Sequence, residues 1–154
     1  MRSITKVVIH GAWTKPGVDV GVEQIREWHR DRGFSDIGYH YVIRRDGTVE
    51  EGRPLSKDGA HVKGHNRDTV GICLVGGRDD EGAHTANLDE FAKQEILWEF
   101  NYTHAQMVAL RKLVAGLVVD HDLTLADVLG HRDFPGVTKR CPGFDVQAYF
   151  SSSP

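Results

Sequence analysis

Near the end of the chain, the segment GHRDFPGVTKRCPGFD holds His131, Lys139 and Cys141 within eleven residues of one another. An imidazole and a soft thiolate on one Gly- and Pro-rich loop make half of a zinc site, with a cation fixed beside them. His10, which closes the apolar run ITKVVIH, supplies the other half. Two His and one Cys give three protein ligands. Zinc prefers four, so one place is left for water, and that is how a hydrolytic zinc site is built. A single thiolate ligand donates charge and weakens the acidification of that water, so neighbouring groups must help. If the bond cut is an amide, the reaction passes through a tetrahedral oxyanion, where one well-aimed donor is worth about 3–4 kcal/mol. Lys139 can project its ammonium at that oxygen. Tyr39, in the GYH segment, can hydrogen-bond the attacking water or the developing oxyanion.

Each of these residues also has an ordinary reading. The chain carries nine histidines, and any one of them is more often a core or surface residue than a ligand. Cys141 could be a small apolar residue before Pro142, although Cys73 inside VGICLVG suits that role better. Lys139 could be a solvated surface lysine and Tyr39 a packing aromatic. His61 and His65, in GAHVKGHN, are either substrate contacts or exposed loop residues. A purely structural zinc would want a fourth protein ligand, and none is obvious nearby.

Strands and helices must deliver these side chains to one place. Residues 4–10 read as a buried, β-branched strand ending at Gly11, with His10 at its C-terminal end, where open α/β sheets commonly bind ligands. Residues 21–32 read as an amphipathic helix with Val22, Ile25, Trp28 and His29 inward, closed by Gly33. The run HYVIRRDGTVEEG reads as two strands joined around Asp46-Gly47. Adjacent side chains of an extended segment point to opposite faces, so only one of Tyr39 and His40 should face the site. Residues 70–76 read as a second buried strand. Residues 104–120 read as a helix with Met107, Leu110, Leu113, Val114, Leu117 and Val118 on one face. A short strand over 127–130 delivers His131, and a last helix follows Asp145. The loose alternation of strands and helices predicts an α/β fold, a central mixed sheet flanked by helices. The polar stretch at about 83–101 reads as a surface insertion in which FAKQEILWEFNY could form a short helix. Residues 151–154 read as a frayed tail.

Composition narrows the classes. The 154 residues suffice for one domain spanning 1–154, with 40% hydrophobic and 27% charged residues. A net charge of −3 without a basic arm argues against nucleic acid. Apolar runs are too short to span a bilayer, so no membrane insertion is expected. The N-terminus, MRSITKVVIH, lacks the apolar core and cleavage site of a signal peptide, which predicts synthesis in a cytoplasm. In that reducing compartment, one thiol as ligand and one as core residue is the expected use of the two cysteines.

The segments VVIHGAWTKP, VGVEQIREWHRDRGFSDIGYHYVIRRDGTVEEGR, GAHVKGHNRDTVGICLVGG, THAQMVALRKLV and GHRDF with KRCPGFD together resemble the zinc-dependent N-acetylmuramoyl-L-alanine amidases. These belong to the type-2 amidase and peptidoglycan-recognition superfamily, and the likeness is greatest to its short phage lysozymes. The resemblance implies His10, His131 and Cys141 as ligands of one Zn²⁺ per chain, Tyr39 and Lys139 as catalytic residues, and His61 on the substrate groove. It implies a monomer cutting the bond between N-acetylmuramic acid and L-alanine in bacterial peptidoglycan, reaching the wall once the membrane is permeabilised. A cytosolic amidase recycling soluble muropeptides, or a recognition module without catalysis, are the alternatives. The loop from His131 to Cys141 reads as longer than in the short phage enzymes, and the N-terminus before His10 is short.

Overall fold

The computed structural model describes residues 2–15, 17–77 and 102–151. The expected insertion at 83–101, its short helix and most of the frayed tail lie outside these residues.

Among the described residues, five strands form one sheet in the order β3-β2-β4-β1-β5. The strands are β1 (Lys6–Gly11), β2 (Tyr41–Ile43), β3 (Val49–Glu51), β4 (Thr69–Leu74) and β5 (Val128–Gly130). β1 pairs in parallel with both β4 and β5, and β2 with β4, while β2 and β3 run antiparallel. The sheet is mixed, as the sequence predicts. The antiparallel pair is the hairpin expected around Asp46-Gly47. Gly47 sits there at φ 89°, and Asp46 accepts a hydrogen bond from the Thr48 amide at 2.8 Å.

Alternation along the strands divides the core. Val7, Ile9, Val70, Ile72 and Leu74 face one side. There they meet α2 (His104–Asp120) and α3 (Val146–Ser151). From α2, Met107, Leu110, Val114 and Leu117 are buried, with Leu113 and Val118 packed at their margin, so the predicted stripe is the one that packs. The opposite face carries Val8, Val42 and Cys73 and is covered by α1 (Val22–Asp31) and the loops around it. His10 shares parity with Val8, so it points into this second layer.

The helix ends are closed by named side chains. Thr103 and Gln106 form a capping box on α2, and the buried Gln106 amide also donates to the carbonyls of Ile43 and Val75 at 3.0 and 2.8 Å. The N-terminus of α1 is capped from the sheet, because Glu50 accepts from the Val22 amide at 2.8 Å. One expectation fails on α1. Trp28 is 38% exposed, whereas Val22, Ile25 and His29 are buried. Those three stand at i, i+3 and i+7, and Trp28, one position short of the last, falls on the flank of that stripe. Among the described residues no helix is long and apolar enough to cross a membrane.

Candidate functional site

Parallel pairing explains how residues far apart in sequence meet. Ile9 is in register with Gly130 across β1 and β5, so the next residue of each chain segment, His10 and His131, emerges side by side. Their rings lie 4.6 Å apart, centroid to centroid. Cys141 returns to the same point because the Arg132 amide donates to its carbonyl at 2.9 Å and the Gly11 amide donates to its sulfur at 3.2 Å. Behind it, the buried Tyr102 hydroxyl donates to the Pro142 carbonyl at 2.5 Å. Gly11 must be glycine here, since a Cβ would stand 2.2 Å from the Tyr102 oxygen.

One donor atom each from His10, His131 and Cys141 lies within 4.8 Å of the others. His10 Nδ1 is 3.8 Å from Cys141 Sγ. Tetrahedral zinc with ordinary Zn–N and Zn–S bonds separates such donors by about 3.6 Å. The set therefore fits a zinc ion by chemistry and spacing alike. The rings are in the form a metal needs. Burial, then the neighbouring histidines His61, His131 and His29, holds His10 well below the ordinary imidazole range. Burial and then Lys139 lower His131. Burial pushes the Cys141 thiol up to about 11, opposed by the Gly11 amide and the charges of Lys139 and Arg132. A metal loading this site must displace that thiol proton.

The three donors sit in a cavity of about 980 Å³ whose wall also includes Trp13, Arg32, Tyr39, His61, Lys63, Lys139 and Arg140. In a chain of net charge −3, the described residues of this wall include four Lys and Arg side chains and no Asp or Glu. It favours an anionic ligand.

Tyr39 faces the cavity with its ring 5.0 Å from that of His10, while His40 turns away and accepts from the Gly71 amide at 3.0 Å. Only one of the pair reaches the site, as pleating predicts. Burial first, then the Cys73 and Cys141 sulfurs, holds the Tyr39 hydroxyl proton well above the ordinary tyrosine range. The Tyr39 hydroxyl thus keeps its proton at neutral pH. Lys139 is exposed on the cavity rim. His61 lies in the wall, with Nδ1 2.8 Å from His10 Nε2. His65, the other histidine of that loop, stacks on Phe134 with ring centroids 5.0 Å apart and is absent from the cavity wall.

Two supports escaped the sequence reading. Cys73 is core, as expected, but its sulfur also helps to hold the Tyr39 hydroxyl proton in place. The His29 Nδ1 accepts from the Gly38 amide at 2.8 Å and its ring lies 5.3 Å from Tyr39, which seats that tyrosine from the helix side. The signal for His29 was its place on the inward stripe of α1.

The sequence profile of the family described as N-acetylmuramoyl-L-alanine amidase matches residues 1–144. The chain belongs to the N-acetylmuramoyl-L-alanine amidase family. Among members with an assigned role, an endolysin of Klebsiella phage KP32 is 42% identical over 152 residues, spanning 99% of this chain and 89% of that protein. Among solved structures, the N-acetylmuramoyl-L-alanine amidase LysC from Clostridium intestinale URNW superposes with a TM-score of 0.72 at 27% identity, covering 99% of this chain and 88% of that one. Drosophila PGRP-LB gives 0.70 at 25% identity, covering 100% and 83%. The mixed sheet predicted from the sequence is thus the amidase and peptidoglycan-recognition fold. As a member of this family, the chain is a hydrolase of the muramoyl–alanine amide in peptidoglycan.

Proposed function

We propose that this amidase is a zinc-dependent phage endolysin that cuts the bond between N-acetylmuramic acid and L-alanine and so opens the bacterial wall. The observation that carries the metal reading is the meeting of His10, His131 and Cys141 donors within 4.8 Å at the cavity floor. The endolysin relative, matched over nearly the whole chain, supports the lytic role.

His10, His131 and Cys141 would hold one zinc ion per chain. Bound there, zinc supplies Lewis acidity at the scissile carbonyl and brings the pKa of water down towards about 7. The rest falls to the protein. Tyr39, kept neutral, donates or accepts a hydrogen bond at the attacking water or the forming tetrahedral centre. Lys139 places its ammonium where negative charge develops on the carbonyl oxygen; removing one such donor typically costs about 10²–10³ in rate. The cationic wall holds the acidic peptide stem in place. The endolysin relative further supports synthesis in the host cytoplasm and access to the wall once the membrane is permeabilised.

The test is release of free peptide stems from purified cell walls, with and without a chelator. Release that stops on chelation and returns with zinc is the expected result. No release after zinc reconstitution would contradict the proposal. Faster turnover of soluble muropeptides than of intact walls would favour a recycling enzyme instead.

A further inference from the structure

Behind His10 lies GAHVKGHNRDTVG, residues 59–71, whose polar groups other than Lys63 have no part in the reaction as described. His10 Nε2 is 2.8 Å from His61 Nδ1, and His61 Nε2 is 3.2 Å from Thr69 Oγ1. The Thr69 hydroxyl in turn donates to the His65 main-chain carbonyl at 2.6 Å.

The chain of bonds has only one consistent direction. A carbonyl can only accept, so Thr69 spends its single proton on His65. Its oxygen must then accept from His61 Nε2–H. A neutral imidazole protonated at Nε2 is bare at Nδ1, so His61 Nδ1 accepts from His10 Nε2–H. That leaves the lone pair of His10 on Nδ1, the nitrogen 3.8 Å from Cys141 Sγ. Both ring nitrogens of His61 are committed, so it has no polar atom left for a substrate, although it lines the cavity.

We propose that His61 is a positioning residue: with Thr69 and the His65 carbonyl it locks His10 as the Nε2–H tautomer and turns the His10 Nδ1 lone pair towards the metal cluster. The proposal rests on the reading that His10 ligates zinc.

The rest of the segment builds the seat for this ring. The Asn66 side-chain oxygen accepts from the amides of His61 and Val62 at 2.8 and 2.9 Å, fixing the backbone on either side. A Cβ on Gly71 would stand 2.7 Å from the His61 ring, and one on Gly59 would stand 2.6 Å from it. Five residues of the segment, Gly59, His61, Asn66, Thr69 and Gly71, thus serve one ligand nitrogen. Outer partners of this kind orient metal-bound histidines and fix their tautomer.

Two measurements decide it. Long-range ¹H–¹⁵N NMR on the metal-free full chain at neutral pH should show His10 and His61 both protonated at Nε2. A His10 protonated at Nδ1 would overturn the proposal. Zinc affinity, measured by chelator competition, should weaken about 10–100-fold in His61→Phe. His61→Asn, which keeps an acceptor near the Nδ1 position, should recover much of that loss. Wild-type zinc affinity in His61→Phe with a raised KM would overturn the proposal by making His61 a substrate contact. If His61→Phe fails to fold, Thr69→Val, close to isosteric, takes its place and should weaken zinc binding severalfold; unchanged affinity would count against the network. Absence of zinc binding by the unaltered chain would refute the zinc reading alone, because the tautomers are read without metal.

Discussion

The two walls of the cleft are built differently. The wall carrying His10 is strand and packed loop: His10 is 1% exposed and His61 9% exposed, and both are held in a chain of side-chain hydrogen bonds. The wall from His131 to Cys141 is an irregular loop. His131 and Cys141 are half-buried and Lys139 is exposed, and main-chain bonds from Arg132 and Gly11 return the cysteine to the site. The contrast separates two tasks. A buried, bonded imidazole holds one fixed direction, as a ligand should. An exposed loop can bring a cation and a thiolate to the cleft while leaving the substrate room to enter.

The largest effect expected from breaking this division is on the loop wall. Cys141→Ser replaces a thiolate by a hydroxyl, a far poorer zinc ligand, and should abolish bound zinc and wall hydrolysis together. Metal analysis beside a hydrolysis assay checks this; activity with zinc retained would contradict it. Lys139→Ala should keep zinc yet lose about 10²–10³ in kcat. A normal kcat would remove Lys139 from the reaction. On the opposite wall, Tyr39→Phe should also keep zinc and lower kcat, and metal loss there would show that the tyrosine supports the ligands instead.

The strand wall should show itself in pH dependence without metal. Burial lowers His40 to about 4 and His61 to about 3, from 6.5 for an exposed ring. Such groups take up protons on unfolding, so their full contribution is present above pH 6.5 and is lost as pH falls towards those lower values. Each removes up to about 1.4 kcal/mol of stability per pH unit in that range. Chemical denaturation between pH 7 and 4.5 should therefore show a steepening loss, and a flat profile would contradict the neutral, bonded rings. The smallest effect belongs to the loop's anchor. Tyr102→Phe removes the hydroxyl that holds Pro142 and should cost about 1–2 kcal/mol, visible as a lowered Tm. An unchanged Tm would mean the loop is held without it.

The same contrast explains what could be read from the sequence. β1, β4 and α2 follow from apolar runs and helical spacing, because burial leaves a periodic trace. The hairpin follows from Asp46-Gly47. His10 and His131 stood out by donor type and by place at strand ends, Cys141 by its thiol on the loop that follows, and the family resemblance joined them. What stayed hidden are pairings with no periodic signature: the Gly11 amide on the Cys141 sulfur, Tyr102 on Pro142, and the bond between His10 and His61. These join residues that only the sheet register brings together. Trp28 was misplaced for a related reason, since an apolar residue one step off the stripe reads much like one on it.

X-ray absorption at the zinc edge of the reconstituted protein tests the central claim most directly. The account predicts two nitrogen donors, one sulfur and one light-atom donor exchangeable with solvent. A sulfur-free shell, or four protein donors with no exchangeable place, would contradict it.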